Sequence, residues 1–515
     1  MSVQSAVQEK TLDMASSFLV NAGPTLVKNE TLRKMLVRRA KDHILGGLKD
    51  TRRPDFKYPP GVADDRTAAG LALASTVERA FAQNLLSKNS LRALVDIVVK
   101  KLLVEQGERT ACDVFREQYG TNPPGFLVIA PGKTCNLHCV GCYADAGPTA
   151  ERLDWDVLDR IVTEAKALWG LRFIVLTGGE PLAYRSQGKT VLDLAEKHPD
   201  VFFMMYTNGT LIDDKMAERL GELGNLSPAI SLEGWKEKTD ARRGPGVFDK
   251  AMAAMDRLRA HGVMFGISLT ATHENCEEIL SDEFVDTMFM TKGALYGWLF
   301  QYMPIGRKFT LDLMVTPEQR IWMWRRAWDL MRERGYFMPD FWNHGTLCEG
   351  CVSAGRDDGG GYLYIEWNGN VTPCVFVPYT PTNVKHVFET GGNLNDVWAD
   401  PFFADIRAWQ TSYKQKNILM PCPNRDHHAD LRALIAKDEP EPLDDNARDA
   451  LLDPGYAHGL AEYEERFRRY ADPIWQKYYV RPVNPEETGI ADLPDLPDLP
   501  NGHEAGEQSG AAGES

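Results

Sequence analysis

Cysteine is scarce in this chain, nine among 515 residues, and so few thiols exclude a disulfide scaffold. Long apolar runs are missing too, and with them any bilayer-spanning segment. The opening stretch, MSVQSAVQEKTLDMASS, has no charged region followed by an apolar one, so it does not read as a secretory signal. These absences together lead to the expectation of a cytoplasmic protein. Positive charge is also short: 58 Lys and Arg against 73 Asp and Glu leave a net charge of -15. That balance argues against a nucleic-acid partner, whose binding is dominated by basic contacts to phosphate. The shortage is uneven. Ten Lys or Arg lie between Lys28 and Lys57 against four acids. They form either a solvated helix face with exposed loop charges, or a site that draws in an anionic substrate or makes a peripheral membrane contact.

The cysteines that are present cluster. Three stand together at Cys135, Cys139 and Cys142, and four more fall at Cys348, Cys351, Cys374 and Cys422. In a reducing compartment such groups read as metal ligands. Cys112 and Cys276 stand alone and read as small buried hydrophobes.

Residues 1–122 read as helical. Ser90 is a plausible N-cap, and Leu91, Leu94, Val95, Val98, Val99, Leu102 and Leu103 follow the spacing of one buried helix face. Asn122-Pro123-Pro124 breaks the pattern. Over 123–312 short apolar runs alternate with amphipathic stretches, the pattern of successive βα units. Six strands are expected, at Phe126–Ile129, Phe173–Leu176, Phe202–Tyr206, Ala229–Leu232, Phe265–Leu269 and Tyr296–Tyr302. Helical patterns such as Asp154–Trp169 and Phe248–His261 lie between them. The fold class is therefore α/β, a partial (β/α)6 barrel of the TIM type, with chemistry at the C-terminal strand ends. A helical connector follows over 313–345. A small α+β cysteine-bearing domain, with an Asn368-Gly369 hairpin, covers 346–432. Helix resumes over 433–484, and the acidic, Pro-rich tail at 485–515 reads as disordered.

Cys135, Cys139 and Cys142 follow the first strand at spacings of four and three. Three thiolates so placed can hold three irons of a cubane cluster and leave the fourth open. Structural zinc prefers four closed ligands, and His138, between two of the cysteines, is poorly placed to be the fourth. Gly178-Gly179-Glu180-Pro181 ends the second strand and Thr207-Asn208-Gly209-Thr210 the third. Ser231-Leu232-Glu233-Gly234 ends the fourth, followed by Arg242-Arg243-Gly244 and Phe248, and Pro304 lies just beyond the sixth.

In this order the motifs resemble the radical S-adenosylmethionine (SAM) superfamily, whose signature is CxxxCxxC. The resemblance implies a catalytic 4Fe-4S cluster on Cys135, Cys139 and Cys142 with SAM bound to its open iron. It also implies cofactor contacts from Tyr143, Gly178, Gly179, Glu180, Asn208, Ser231, Arg243 and Pro304. The reaction so implied is reductive cleavage of SAM to a 5′-deoxyadenosyl radical that takes hydrogen from a substrate carbon. A small reduced protein such as flavodoxin or ferredoxin would supply the electron. Gly141 stands where the family usually has an aromatic residue, and Glu233 where it has aspartate. Of the two arginines, Arg243 is expected to face the cofactor and Arg242 to point elsewhere.

Cys348-Glu-Gly-Cys351, the run YLYIEWNGNVTPC ending at Cys374, and Cys422 resemble the SPASM and twitch extensions of that superfamily. Four cysteines suffice for a second, auxiliary 4Fe-4S cluster; zinc is the competing reading of the same four. Cys348 is either the fourth ligand or a bystander whose absence from the set leaves one iron open. The N-terminal region is helical rather than a strand-rich peptide-recognition module. The substrate expected is therefore a small molecule, lipid or cofactor intermediate, with a peptide as the alternative and a non-catalytic electron carrier as the remaining one.

Overall fold

The computed structural model describes residues 29–51, 58–97, 109–413, 416–482 and 489–497. Its centre is a sheet whose first six strands are β1 (Phe126–Ile129), β2 (Phe173–Leu176), β3 (Phe202–Thr207), β4 (Leu226–Leu232), β5 (Gly266–Ala271) and β6 (Tyr296–Gln301). They pair in parallel and in chain order. Most residues of β1 to β5 are buried, as strands covered on both faces must be, while β6 alternates buried with half-buried positions. All six lie where the apolar runs place them, with ends shifted by up to three residues.

The C-terminal hairpin joins this sheet. β7 (Tyr362–Ile365) pairs antiparallel with β8 (Asn370–Thr372) across the Asn368-Gly369 turn, where Gly369 takes a φ of 93°. On its other side β7 pairs in parallel with β1, Phe126 opposite Tyr362 and Ile129 opposite Ile365. Two short strands complete the pattern: β9 (Tyr379–Thr380) pairs with β11 (Glu441–Pro442), and β10 (Thr382–Asn383) with β8. The large sheet thus runs β10-β8-β7-β1-β2-β3-β4-β5-β6, and the cysteine-bearing segment is welded to the barrel at β1.

The helices at both ends of the chain build a second core. α1 (Glu30–Thr51) packs on α2 (Pro60–Ala82). α2, α4 (Pro317–Glu333) and α5 (Pro454–Ile474) then share a cluster that includes Val62, Ala72, Trp324, Trp328, Leu460 and Phe467. The label α3 is kept for Lys236–Arg243, between β4 and β5. Among the described residues no helix is long and apolar enough to cross a membrane.

Two expectations need correction. Ser90 is not the helix cap. Ser87 is, its hydroxyl accepting from Ser90 N at 3.1 Å, while the Ser90 hydroxyl donates to Gly262 O at 2.9 Å. Val98, Val99, Leu102 and Leu103 lie outside the described residues. Nor is the tail featureless, since residues 489–497 pack on α4. Arg325 Nη1 donates to Leu493 O and Pro494 O at 3.1 and 2.7 Å, and Arg332 Nη1 to Ala491 O at 2.9 Å. Ile490, Leu493 and Leu496 rest against the second core. Composition missed this because leucines spaced by three give one apolar edge, and prolines reduce the entropy lost on ordering.

Candidate functional site

β1 delivers the chain into a loop that is tied down at several points. Cys135 N donates to Gly147 O at 2.9 Å, Lys133 N to Glu151 O at 3.0 Å and Val140 N to Arg242 O at 2.9 Å. Cys135, Cys139 and Cys142 all line one cavity of about 450 Å³ at the C-terminal ends of the barrel strands. The thiols feel one another: Cys139 and Cys142 both add to the upward push on Cys135, which burial in the first place brings to about 11. A buried thiol that resists ionisation gives a thiolate once a cationic metal takes the proton's place. Among the described residues no three His, Cys, Asp or Glu side chains close on a single-ion point. All three thiols line the same cavity.

The expected cofactor loops converge on the same cavity. Gly178 and Gly179 press against the cysteine loop; a Cβ on Gly179 would lie 2.2 Å from Thr134 O, and Gly178 has a φ of 103°. Glu180 N donates to Thr134 O at 2.8 Å. The Glu180 carboxylate accepts from Leu182 N, Thr207 Oγ1 and Asn208 N at 3.1, 2.7 and 2.8 Å. Burial pushes this carboxyl up, against those hydrogen bonds and the nearby Arg243. Asn208 Nδ2 in turn donates to Asn136 Oδ1 at 2.9 Å, inside the cysteine loop. Asn208 and Ser231 both line the cavity.

Tyr143 lines it too, with its hydroxyl 2.5 Å from Thr177 Oγ1 and accepting from Gly178 N at 3.1 Å. At Gly141, where the resemblance leads one to expect an aromatic residue, the Tyr302 ring packs close instead: a Cβ on Gly141 would lie 2.7 Å from Tyr302 Cε2. Pro304 is not brought to the wall. Gln301, Tyr302 and Met303 are, whereas Pro304 O accepts from Tyr456 OH at 3.1 Å.

The two arginines do not diverge. They occupy the last turn of α3 rather than an extended loop, and both reach the fully buried Glu233. Arg243 Nη2 and Nε lie 2.6 and 2.8 Å from Glu233 Oε1, and Arg242 Nη1 lies 2.7 Å from Oε2. The longer glutamate reaches both guanidiniums at once. Burial works against the Arg243 cation, but Glu233 and Cys139 outweigh it and raise the guanidinium pKa further. Both arginines line the cavity, and Arg242 Nε also donates to Val140 O at 3.2 Å.

Arg307 is a site residue that motif reading misses. Its side chain donates to Asp145 Oδ1, Cys139 O and Ala146 O at 2.8, 2.7 and 2.5 Å, and its N–H to Cys142 O at 2.9 Å. The only signal in the sequence is a basic residue directly behind Pro304-Ile305-Gly306.

The second cysteine group assembles behind the same cavity. Burial raises all four thiols, Cys422 to about 11. Cys351 adds to the push on Cys374 and Cys422, and Cys348 adds to that on Cys351, so the four are neighbours. Two of the four sulfurs have a hydroxyl neighbour suited to a thiolate. The Tyr362 hydroxyl is 2.9 Å from Cys374 Sγ and the Ser353 hydroxyl 3.1 Å from Cys351 Sγ. Of the four, Cys348 lines the cavity shared with Cys135, Cys139 and Cys142.

Comparison with known proteins identifies two stretches of the chain. The radical SAM superfamily model matches residues 129–281, which contain the first cysteine loop. The iron–sulfur cluster-binding SPASM model matches 357–424, which contain Cys374 and Cys422. An AdoMet-dependent heme synthase of Methanosarcina barkeri is 26% identical over 298 residues, covering 52% of this chain and 80% of that protein. The mycofactocin maturase MftC of Mycolicibacterium smegmatis is 28% identical over 325 residues, covering 60% and 76%. The structure of Streptococcus suis SuiB bound to precursor peptide SuiA superposes with a TM-score of 0.47 at 18% identity, covering 68% of this chain and 84% of that one. The chain carries a radical SAM domain over residues 129–281 and a SPASM iron–sulfur cluster-binding domain over 357–424, and it is an enzyme whose cofactors are 4Fe-4S clusters and S-adenosyl-L-methionine.

Proposed function

We propose that Cys135, Cys139 and Cys142 hold the catalytic cluster and that Cys348, Cys351, Cys374 and Cys422 hold an auxiliary one. The enzyme then takes hydrogen from a carbon of a largely apolar small molecule, lipid or cofactor intermediate, leading to bond formation or oxidation. The observation that carries this reading is the cavity itself. It joins the first cysteine loop to Cys348, and between them its wall is built from side chains such as Phe126, Phe173, Trp298, Phe300, Phe341 and Phe376. Such a wall favours apolar surface, about 25 cal/mol for each Å² removed from water. Among the described lining residues the only cations are Arg242 and Arg243, and both already face Glu233.

When bound, cluster and SAM supply the hydrogen-abstracting 5′-deoxyadenosyl radical; the chain's own residues bind, orient and shield. Gly178 and Gly179 bring backbone close to the cysteine loop, and Tyr302 and Tyr143 wall the cofactor end. The N–H groups left on Arg242 and Arg243 suit a carboxylate. The apolar wall keeps water from a reactive species. Val140, 51% exposed, puts one side of the cysteine loop at the surface, where a cytoplasmic electron donor such as flavodoxin or ferredoxin can approach.

Anaerobic incubation with SAM and dithionite should release 5′-deoxyadenosine. Cys139→Ala should release none while keeping the wild-type melting temperature, and wild-type release by that variant would remove Cys139 from the cluster. Organic-phase small molecules from the producing cells should raise release above its substrate-free rate. Stimulation by the peptide fraction instead would make the enzyme a peptide maturase.

A further inference from the structure

We infer that Arg66, on the N-terminal helix α2, belongs to the auxiliary centre, where with Arg356 it sets the charge around Cys348 and so the reduction potential of that centre. This rests on the assignment of Cys348, Cys351, Cys374 and Cys422 as auxiliary ligands. The helix lies outside both matched regions, 129–281 and 357–424, and no step of the chemistry so far uses it.

The Cys348-Glu349-Gly350-Cys351 turn folds through two left-handed residues, Glu349 at a φ of 63° and Gly350 at 105°. Such a turn is strained for a glutamate and needs holding. Glu349 is held from three sides: Arg66 Nη2 donates to its Oε1 at 2.7 Å, and the Tyr58 hydroxyl and Arg356 Nη2 both reach its Oε2. Arg66 Nε also donates to Thr346 O at 3.3 Å, and the adjacent Asp65 accepts from Thr346 Oγ1 at 2.7 Å. Arg356 Nη1 donates to Cys348 O at 2.7 Å, and its Nε lies 2.8 Å from Asp358 Oδ1. α2 therefore grips residues 346–349 with two consecutive side chains.

The grip is charged, and that distinguishes it from packing. Around the Cys348 thiol the Arg356 and Arg66 guanidiniums weigh more than the Glu349 carboxylate. Charges in a partly buried setting act strongly on one another, and the potential of an iron–sulfur cluster follows local charge and hydrogen bonds to its sulfurs. Removing a cation disfavours the electron-rich reduced state, and removing an anion favours it. Because Cys348 lines the cavity, the charge is set on the side of the centre that faces substrate.

The test uses full-length protein with Cys135, Cys139 and Cys142 all changed to Ala, so that the auxiliary cluster alone is titrated by EPR against potential. Arg66→Met should lower the reduced-to-oxidised ratio at fixed potential about tenfold, a downward shift of about 59 mV for one electron. Arg66→Lys keeps the charge and should recover most of that shift. Glu349→Gln should move the potential upward. A purely structural role moves all three variants the same way or not at all; with iron and sulfide retained, that result overturns the inference. A triple-alanine protein without iron and sulfide overturns the auxiliary assignment itself, and the inference with it.

Discussion

Arg307 shows how much of the catalytic loop is held by a residue with no place in any motif. Three of its donors end on Asp145, Cys139 and Ala146, so one side chain spans the carboxyl half of the cysteine loop. A hydrogen bond to a charged group is worth about 1.5–3 kcal/mol. Arg307→Ala is therefore expected to loosen the loop by about 3 kcal/mol and to speed iron release to a chelator roughly a hundredfold. Arg307→Lys should recover only part of this, because an ammonium cannot span three fixed acceptors. Release at the wild-type rate from the alanine variant would show that the loop holds its shape without the arginine. The three cysteines are legible in sequence because their spacing is local. Arg307 is not, because its side-chain partners lie more than 160 positions earlier. Arg242 was misread for a different reason: its direction depends on whether residues 236–243 form loop or helix, and a charged stretch of eight residues does not declare that.

At the scale of elements, the six barrel strands are legible because buried parallel strands are near-continuous apolar runs. The hairpin is legible from Asn368-Gly369. What the residues conceal is the edge that β7 joins, since Tyr362–Ile365 would suit several neighbours equally. The hairpin carries its own test in Glu366, which is buried at its turn and accepts from Asn370 Nδ2 at 3.0 Å. Burial raises this carboxyl to about 7, against the hydrogen bonds from Asn370 and Asn368. A folded-state value above the unfolded one means that Glu366 favours folding below pH ~4.3, and that this contribution fades as pH climbs towards 7. Glu366→Gln should thus match wild type in melting temperature at pH 4 and exceed it at pH 8, by an amount on the order of 3 kcal/mol in stability. Equal differences at both pH values would show that the carboxyl titrates alike in both states.

At the scale of the whole molecule, α1, α2 and α5 from opposite ends of the described chain lie in one layer with α4, and residues 489–497 pack against it. Leucine and isoleucine contacts of that length, with the arginine hydrogen bonds, are worth roughly 3 kcal/mol. Deleting residues 489–515 should lower the melting temperature by roughly 2–5 °C and leave cluster content unchanged; an unchanged melting temperature would mean that the packing of Ile490, Leu493 and Leu496 contributes nothing. The pairing of β1 with β7 joins residues 126–129 to residues 362–365, more than 230 positions apart, and so fixes an order of events during synthesis. Until the later segment has left the ribosome, β1 has one bare edge, and the strand that feeds the first cysteine loop is a site for mispairing. The first cluster-loop thiols to emerge, Cys135, Cys139 and Cys142, therefore belong to the last part of the barrel to close. Iron loaded before residue 365 appears would meet a half-built scaffold, so a nascent chain stopped short of β7 should bind the catalytic cluster poorly even with all three of its cysteines present.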